Sequence, residues 1–469
     1  MPERQIYLLS PRQLSPETIA VAFAKTSRSP DSFREIAAGL TEEKSAQFHE
    51  KWVVGYGHAS VAEHAVLHLA FENVSRLAIE SIESNRLASY TEKSTRYQKW
   101  SVDDFFTPRE LDVHPLREQY VAACSRLFQT YVDSLGPVRD LVLARAQRRP
   151  GESDEAMDRR LRSQYVDVCR FLLPAASLAN VGMTANARVL ESMIRKMLSH
   201  RLMEVREIGE QVKTVATSEV PTLVKYADAV PYLSETVADL DEMRPDIANG
   251  GSEACTLIDY DRDGEKKVLA AALYRFGEMP MAAALAYLEG LSEAGCNELV
   301  ARLMQRLDAH DVPLRELEYC TYTFDLVMDQ GAYAAFKRHR MMTQTAQKLS
   351  TRLGYAVPQL IAEAGQRPEY DAAMQAAAEV YEKLYEFNPD VAQYVVPNAY
   401  KRRVLARFNL REAYAFCQLR SATNAHFSIR RIARQVHDAI RQVHPRLAGY
   451  MRLPDESADG LSERYFAEG

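Results

Sequence analysis

The chain has 469 residues, of which 47% are apolar and 26% are charged, and its formal net charge at pH 7 is −6. This composition is typical of a globular protein in water, and the length predicts two domains rather than one core. The acidic balance disfavours a duplex nucleic-acid binder, which usually carries a basic surface. Apolar runs such as residues 268–273 are too short to cross a membrane, and the opening residues lack the pattern of a signal peptide.

The six cysteines predict reduced thiols. No two of them are spaced as C-x-x-C, and none stands beside a histidine at a spacing that suits a metal. Neither a zinc site nor a disulfide framework is indicated, so we expect no metal. Unpaired cysteines are typical of a reducing compartment, which predicts a cytoplasmic protein.

Short strands followed by amphipathic helices are predicted in both halves of the chain. Residues 6–9 and 256–260 are apolar and each precedes a polar stretch and a helical pattern, over residues 19–25 and 268–274 respectively. This is the first of three correspondences between the halves.

The second correspondence is an alternating strand with a helix after it. Leu67, Leu69 and Phe71 lie on one face of a predicted half-buried strand over residues 64–74, and Ser75 is suited to cap the helix that follows. That helix is predicted to end near residues 84–86. The second half repeats the plan with a strand around residues 319–327, a turn at 329–331 and a helix that ends in Arg338-His339-Arg340.

The third correspondence has a fixed spacing. Pro174 precedes Asn186-Ala-Arg188 by 12 residues, and Pro397 precedes Asn409-Leu-Arg411 by the same 12. Further on, Glu204-Val-Arg206 roughly matches Ser428-Ile-Arg430. Three ordered matches indicate an internal duplication.

The duplication predicts an α+β fold of two tandem units. The predicted boundaries are residues 1–230 for the first unit, 231–254 for a polar linker, 255–455 for the second unit and 456–469 for a tail. The tail is acidic and contains glycine, so we expect it to be frayed.

Two segments of the first half carry polar side chains suited to ligand binding. Gly57-His58-Ala-Ser60-Val-Ala-Glu63-His64 could form a polar pocket rim, a metal site, or simply a helix start in which Ser60 is the N-cap and Glu63 completes a capping box. The segment from Arg86 to Tyr97 combines hydroxyl side chains with Arg96, a pattern that suits a phosphate or a carboxylate.

Cationic residues cluster in the second half. Residues 337–340 either stabilise a helix C-terminus through its dipole or form an anion site. Arg411 and Arg420 are nine residues apart on a predicted helix, about 2.5 turns, so they point to different faces. Arg170, in the first half, precedes the apolar run Phe-Leu-Leu-Pro174, where a charge requires a partner.

In ordered combination these motifs resemble the flavin-dependent thymidylate synthases, and the resemblance covers nearly the whole chain twice. The first copy keeps a set of the family's motif residues: His58, Ser60, Glu63, His64, Arg86, Ser89, Glu92, Ser94, Arg96, Tyr97, Arg170, Asn186 and Arg188. It departs at Ser84, Asn85 and Met197, where the family has Arg, His and Arg. The second copy keeps Arg338, His339, Arg340, Asn409, Arg411 and Arg420 but departs at Lys348, Ser350 and Gln393, and its residues 311–318 lack the Gly-His pattern.

The resemblance implies a fold, a reaction and a set of site residues. The fold would have a mixed sheet with long helices, and the two units would form a pseudo-dimer. The reaction would be reductive methylation of dUMP to dTMP, with FAD as cofactor and with NADPH and methylenetetrahydrofolate as co-substrates. The implied nucleotide residues are Glu92, Ser94, Arg96, Arg170 and Arg420, of which Ser94, Arg96 and Arg420 would act in catalysis. The implied FAD residues are His58, Ser60, Glu63, Arg86, Arg338, His339, Arg340, Asn409 and Arg411.

The losses in the two copies are largely complementary. Sites in the family draw residues from more than one chain, so the resemblance implies a homodimer, a pseudo-tetramer in which only half of the sites are complete. Two other readings stay open: an enzyme that modifies another pyrimidine nucleotide, and a protein that binds flavin or nucleotide without turnover.

Overall fold

The structure is a computed structural model that describes residues 5, 7–27, 29–55, 58–96, 98–243, 253–308 and 310–467. The chain packs into two compact units. The first consists of Met1–Ser94, Asp104–Glu118 and Ala176–Ala248, and the second of Thr95–Asp103, Gln119–Ala175 and Asn249–Gly469. Two segments of the first half of the chain therefore belong to the second unit. The domain boundaries expected from the repeats stay a prediction.

The elements of the first half alternate helices with three strands. They are α1 (Pro16–Lys25), α2 (Phe33–Ala38), α3 (Glu42–Phe48), a π-helix (His49–Gly55), a 3-10 helix (Ala59–His64), β1 (Val66–Ser75), α4 (Arg76–Glu83), β2 (Ser89–Glu92), a 3-10 turn (Arg109–Leu111), α5 (Arg117–Ala144), α6 (Asp154–Cys169), a 3-10 turn (Arg170–Leu172), β3 (Leu178–Asn186), α7 (Ala187–Leu198), α8 (Met203–Glu219), α9 (Pro221–Val224) and α10 (Pro231–Glu242).

The second half follows the same alternation with one further strand. Its elements are β4 (Cys255–Tyr260), α11 (Gly264–Phe276), α12 (Met281–Glu289), α13 (Glu293–Met304), a 3-10 helix (Arg315–Tyr319), β5 (Thr321–Asp329), α14 (Gln330–Phe336), β6 (Thr343–Ala346), α15 (Gln359–Glu363), α16 (Arg367–Phe387), α17 (Pro389–Ala392), a 3-10 turn (Gln393–Val395), β7 (Lys401–Asn409), α18 (Leu410–Ser421), α19 (Phe427–Val443), α20 (Pro445–Ala448) and α21 (Ala458–Tyr465).

Both sheets are antiparallel, so the expectation of a mixed sheet is wrong. The strand order is β1-β3-β2 in the first sheet and β4-β5-β7-β6 in the second. β1 and β2 run in the same direction, but β3 lies between them and pairs antiparallel with each. β7 separates β5 from β6 in the same way. A mixed sheet would need the two strands on either side of α4, or of α14, to pair directly, and the returning strand prevents this.

The sheet registers align the two repeats residue by residue. The first residue of β1, Val66, pairs with Asn186, and the first residue of β5, Thr321, pairs with Asn409. β1 has a bulge between Phe71 and Val74, at which Asn73 adopts a φ of 55°, so β1 is one residue longer than β5. The α+β fold and the two repeated units are thereby confirmed.

The asparagines at the strand ends act alike in both repeats. Asn186 caps α7 by accepting the Val189 N–H at 2.9 Å, and Asn409 caps α18 by accepting the Glu412 N–H at 2.9 Å. Each cap sets where its helix begins, and therefore which side chains of that helix face the neighbouring elements.

The two repeats exchange the partners of one buried hydrogen bond. In the first, Ser75 caps α4 and donates its hydroxyl to Glu204 of α8 at 2.6 Å, while its N–H donates to the same carboxylate at 2.8 Å. In the second, Asp329 caps α14 and accepts the hydroxyl of Ser428 of α19. Carboxylate and hydroxyl have traded places at matching positions, so each repeat keeps a satisfied buried contact.

Three local expectations are corrected by the structure. Residues 7–9 form no strand, and residue 6 lies outside the described part of the chain. The helix after His58 is 3-10 and has no side-chain cap, so the capping box at Ser60 and Glu63 is not formed. The tail is ordered through residue 467, because α21 buries Leu461, and Tyr465 stacks on Phe427 with ring centroids 4.9 Å apart.

Two expectations of the second half are also wrong: residues 330 and 331 already belong to α14 rather than to a turn, and α14 ends at Phe336, before Arg338-His339-Arg340. Other local expectations hold for the described residues. Leu67, Leu69 and Phe71 are buried on one face of β1, as their alternation predicts, and Ser75 is the cap. α5 and α16, with 28 and 21 residues, are the long helices expected of the family. No described helix is both long and apolar enough to span a membrane.

We expect that the aspartate–serine arrangement of the second repeat can replace the serine–glutamate arrangement of the first. Ser75→Ala should lower the free energy of unfolding by about 1–3 kcal/mol, because the buried Glu204 carboxylate loses a donor. Ser75→Asp should lower it further, since two buried carboxylates then face each other. Adding Glu204→Ser to Ser75→Asp recreates the arrangement of Asp329 and Ser428 and should recover most of the loss. Urea unfolding checks the order, and a double variant less stable than Ser75→Asp would contradict it.

Five buried histidines predict a loss of stability in mild acid. Burial lowers the pKa of each, the largest cause in every case: His49, His339, His426, His437 and His444. Because the folded-state pKa lies below the unfolded value of about 6.5, this stability is fully present above that pH and is lost as pH falls below it.

The urea concentration at the unfolding midpoint should therefore decrease when the pH is lowered from 7.5 to 5.5. This window lies above the ordinary pKa of carboxyl groups, about 4. His426→Gln keeps a side-chain donor but cannot take up a proton in this range. It should reduce the pH dependence by the share of one histidine. An equal pH dependence in the variant and the parent protein would contradict this assignment for His426.

Candidate functional site

Arg96 is held in a fixed orientation in the second unit. Its Nε and Nη2 donate to the two carboxylate oxygens of Asp167 in α6, each at 2.8 Å, and its Nη1 donates to the Asn424 carbonyl at 3.0 Å. The Arg96 side chain keeps 23% of its surface exposed, against 10% for Asp167. A bidentate pair of this kind fixes the plane of the guanidinium while one edge stays accessible.

Arg170 is almost fully buried, and both of its terminal nitrogens have hydrogen-bond partners. Nη1 donates to Thr95 Oγ at 3.1 Å and Nη2 donates to the Gly331 carbonyl at 3.3 Å. A Cβ at Gly331 would lie 3.3 Å from Nη2 and 3.1 Å from Asp329, so only glycine allows this approach without rearrangement. The guanidinium thus links residues 95 and 331 within the second unit.

His426 joins the Arg96 region to the start of α19. Its Nδ1 accepts the Ser428 N–H at 3.2 Å as the helix cap, so Nε2 carries the proton and donates to the Asp167 carbonyl at 3.1 Å. Burial, followed by the charges of Arg170 and Arg96, lowers its pKa well below the ordinary value. The ring is therefore a neutral spacer between α6 and α19.

Arg420, near the end of α18, is the centre of a group of like charges. Its Nε donates to His339 Nε2 at 2.9 Å, and His339 Nδ1 donates to Glu412 at 2.9 Å. Burial, and then the nearby charges of Arg338 and Arg96, lower the pKa of Arg420 to about 10. Cations packed this closely repel one another, so the group favours an anionic ligand.

The flanking arginines of the Arg-His-Arg segment differ in their surroundings. Arg338 is exposed, and its side chain makes no hydrogen bond or ion pair with any described residue. Arg340 is half-buried, and its backbone N–H donates to the Arg338 carbonyl at 3.1 Å. Both lie in the turn between α14 and β6, which follows the helix directly.

Arg411 and Arg420 point to different faces of α18, as their spacing predicts. Arg411 donates to the Pro313 carbonyl at 2.8 Å and to Glu318 at 3.0 Å, away from His339. Asn409 uses its side chain as the helix cap. Neither residue contributes to the group of charges around Arg420 in the structure.

The first unit contains a pocket of about 400 Å³ around the Gly-His segment. Its polar wall carries three of the predicted cofactor residues, His58, Ser60 and Glu63, and Gly57 lies outside the described residues. Its apolar wall includes Phe23 and Trp52. Phe23 packs against His64 with centroids 5.0 Å apart, and Trp52 against His58 at 6.2 Å. Aromatic walls with a few polar groups suit a planar ring system.

Other predicted site residues of the first unit lie apart from that pocket. Glu92 in β2 pairs with Arg76 at 2.8 Å, with both side chains nearly buried. Ser94 follows β2 and is half-buried, and Arg86 is exposed after α4. Arg86 lies near Lys196 of α7, where burial and then its charge lower the pKa of Lys196. Glu63, at the pocket, pairs with Arg188.

The second unit therefore contains Arg96, Arg170, Arg338, His339 and Arg420, motif residues that come from both repeats. Arg338 and Arg96 lie near enough to Arg420 for their charges to lower its pKa, and Arg170 and Arg96 act in the same way on the pKa of His426. His58, Ser60 and Glu63 belong to the pocket of the first unit. Tyr97 lies outside the described residues, and the described residues contain no cluster of three or more His, Cys, Asp or Glu placed to hold a metal.

Four residues of these sites were not singled out from the sequence. They are Trp52, Asp167, Glu412 and His426. Three of them act on residues at least 70 positions away, so no local pattern could reveal them. Only Glu412 could have been noticed from the sequence, because aligning the two repeats places it opposite Val189 of the first repeat.

Comparison with known proteins agrees with a duplicated chain. The family profile described as "Thymidylate synthase complementing protein" matches residues 10–222 and again residues 256–446. A UPF0159 protein of Chlamydia muridarum is 30% identical over 442 residues, which cover 89% of this chain and 83% of the relative. A UPF0159 protein of Thermoplasma acidophilum is 28% identical over 450 residues, 88% of this chain and 90% of the relative.

Relatives with a stated activity match only about half of the chain. The flavin-dependent thymidylate synthase of Clostridium tetani is 26% identical over 215 residues, which cover 45% of this chain and 82% of that enzyme. One repeat thus corresponds to most of a single-copy relative. The two profile matches together cover most of the sequence, and the chain belongs to the thymidylate synthase complementing protein family.

Proposed function

We propose that the protein catalyses the reductive methylation of dUMP to dTMP, with FAD as cofactor and methylenetetrahydrofolate and NADPH as co-substrates. One observation carries the proposal. Arg96 and Arg170, kept by the first repeat, lie in the same compact unit as Arg338 and Arg420, kept by the second. The arginines that the two copies retain separately therefore belong to one unit, in which the charges of Arg338 and Arg96 act on Arg420. An anionic ligand such as a nucleoside monophosphate would supply the charge that these cations favour.

In this proposal, the burial of each nucleotide residue determines whether it contacts the nucleotide directly. Arg96 and Arg420 are partly exposed and would contact the phosphate or the base, together with Ser94. Arg170 is buried and would act from behind, through Thr95 next to Arg96. Glu92 is paired with Arg76 and stays in the proposed nucleotide set as a hydrogen-bond acceptor for the base.

The residues present fit parts of FAD. The aromatic walls of the first unit's pocket, with His58, Ser60 and Glu63, suit one ring system, since about 400 Å³ is too small for a whole dinucleotide. Arg86 of the first unit offers a cation for a phosphate. Arg338 and Arg340 of the second unit stay in the proposed cofactor set as cations for a phosphate or for a negatively charged reduced ring. FAD, when bound, supplies hydride. Asn409 and Arg411 stay in the proposed set, although a phosphate would have to displace Glu318 from Arg411.

We also propose that two chains associate and that each repeat corresponds to one subunit of a single-copy relative. The support is the complementary loss of motif residues: Asn85 and Met197 in the first repeat, Gln393 in the second. A site that a single repeat cannot complete requires residues from another. The cytoplasmic location expected from the cysteines is part of the same proposal, and all six are free thiols in the structure.

A second candidate is a flavoenzyme that modifies another pyrimidine nucleotide. The observation in its favour is that relatives matching nearly the whole chain are UPF0159 proteins, whereas those named thymidylate synthases match one repeat's length. A protein that binds flavin or nucleotide without turnover is the third reading. Product analysis separates the three.

The first test is the visible spectrum of the purified protein with FAD, before and after addition of dUMP. We expect a bound-flavin spectrum that dUMP perturbs, and dTMP formation when methylenetetrahydrofolate and NADPH are added without oxygen. Binding of dUMP without dTMP would shift the assignment to the alternatives. A protein that takes up no FAD would contradict both enzyme proposals.

Arg338→Gln should weaken FAD binding about tenfold, because a charge-assisted contact contributes about 1.5–3 kcal/mol and 1.4 kcal/mol is a factor of ten. Its exposed side chain has no hydrogen bond to lose within the described residues, so stability should not change. Arg302→Gln on α13 removes another exposed arginine, paired with Glu298, and should leave binding intact. Calorimetry measures both, and unchanged FAD affinity in Arg338→Gln together with unchanged dUMP affinity in Arg96→Gln would contradict the shared site.

The pocket can be followed by fluorescence because the chain has only two tryptophans. Trp52 lines the pocket, whereas Trp100 is buried in the second unit. In a Trp100→Phe background, FAD should quench the emission of Trp52, since a flavin ring in the pocket would lie in contact with it. Adding His58→Ala should reduce the quenching at a given FAD concentration. Full FAD uptake with no quenching would place the cofactor elsewhere.

A further inference from the structure

His339 has both ring nitrogens engaged, and its partners determine where the proton lies. A carboxylate cannot donate, so Nδ1 carries the proton that Glu412 accepts at 2.9 Å. A guanidinium cannot accept, so Nε2 is the lone pair that takes Arg420 Nε–H at 2.9 Å. The ring is therefore the neutral Nδ1–H tautomer. Phe416 packs edge-on against it with centroids 5.0 Å apart, which limits its rotation.

The orientation of this contact is set from the start of α18. The Asn409 cap holds the Glu412 N–H at 2.9 Å, and the Glu412 side chain, 11% exposed, is directed to His339 from the first turn. Arg420 lies in the last turn of the same helix. His339 thus joins the two ends of α18 across the turn that follows α14.

The first repeat lacks all three members of this chain of hydrogen bonds. Counting from the cap, Val189 stands at the position of Glu412 and Met197 at that of Arg420. Counting back from β2 and β6, which pair in matching register, Asn85 stands at the position of His339. Asn85 accepts Lys196 Nζ at 2.9 Å instead.

The neighbours of the lost residues are retained. The caps Asn186 and Asn409 match, as do the ion pairs of Arg188 with Glu63 and of Arg411 with Glu318. General drift of the first repeat would not spare these and remove the other three together. The pattern indicates that Glu412, His339 and Arg420 serve one purpose.

We infer that Glu412 and His339 are positioning residues for Arg420: they hold its guanidinium by Nε beside Arg96 and Arg338, so that its Nη groups meet the anion of the ligand. This inference rests on the proposed nucleotide site. Neither Nη of Arg420 donates to a described residue, whereas Arg96 uses three nitrogens within the chain. Without the hydrogen bond to His339, repulsion from two arginines would drive the long side chain towards water.

The decisive comparison is between two substitutions of Glu412. Glu412→Val copies the first repeat and removes the acceptor, so the His339 tautomer is no longer determined; the Kd for dUMP should rise about tenfold. Glu412→Gln keeps an oxygen that accepts Nδ1–H and should stay within about threefold of the parent protein. In an Arg420→Met background, Glu412→Val should have no further effect, because the residue it positions is gone.

Glu191→Val on α7 is the matched control. It makes the same change on the equivalent helix of the first repeat, where Glu191 pairs with Arg195 at 3.6 Å, and should leave the Kd unchanged. Urea midpoints of all variants show whether any loss of affinity reflects unfolding. Equal affinity in Glu412→Val and the parent protein, or an equal loss in Glu412→Gln and Glu412→Val, would overturn the inference.

A spectroscopic measurement on the unsubstituted protein tests the tautomer independently of function. Long-range ¹H–¹⁵N spectra of histidine-labelled protein distinguish the two neutral tautomers, and the His339→Asn variant identifies the signal. We expect Nδ1–H, and an Nε2–H tautomer would overturn the inference even if the variants had failed to fold. If the parent protein binds neither dUMP nor any other nucleoside monophosphate, the proposed function fails, while the tautomer result still decides whether the Glu412–His339–Arg420 arrangement exists.

Discussion

The hydrogen bond from a strand-end asparagine to the first turn of the next helix is the contact on which both repeats depend. Asn186 and Asn409 each end a central strand and begin a helix at the same residue. A strand that is paired on both sides cannot shift its register without turning its apolar face outward. The cap therefore fixes the start of the helix relative to the sheet. In the second repeat it thereby determines where Arg411, Glu412 and Arg420 lie.

The repeats show two different outcomes of duplication. The buried contact between helix cap and neighbouring helix is exchanged, as Ser75 with Glu204 in one repeat and Asp329 with Ser428 in the other. Glu412, His339 and Arg420 are instead lost together. A buried polar group left without a partner destabilises the fold, so compensating changes accumulate there. A half-exposed arginine can be lost at little cost to stability, so we attribute the retention of Arg420 in one repeat to the proposed ligand binding.

The arginines of the second unit differ in how far protein partners neutralise their charge. Arg170 and Arg96 have protein partners, and Asp167 supplies the carboxylate for Arg96. Arg420 has only a neutral imidazole, and Arg338 is exposed beside it. Binding of an anion would relieve the repulsion among Arg96, Arg338 and Arg420. In the proposed function, this arrangement would suit any nucleoside monophosphate, so other contacts would select the base.

The sequence by itself determined the features that local patterns encode: the alternating strand β1, the cap at Ser75, the duplication and the arginine motifs. Only the tertiary structure decided the strand order, because pairing joins β1 to a strand about 100 residues later. It also decided that Asp167 holds Arg96 from 71 positions away and that Glu412 reaches His339 across 73. A hydrogen bond within a turn joins residues at a fixed sequence spacing, which can be recognised in the sequence. A contact between segments that folding brings together has no such spacing.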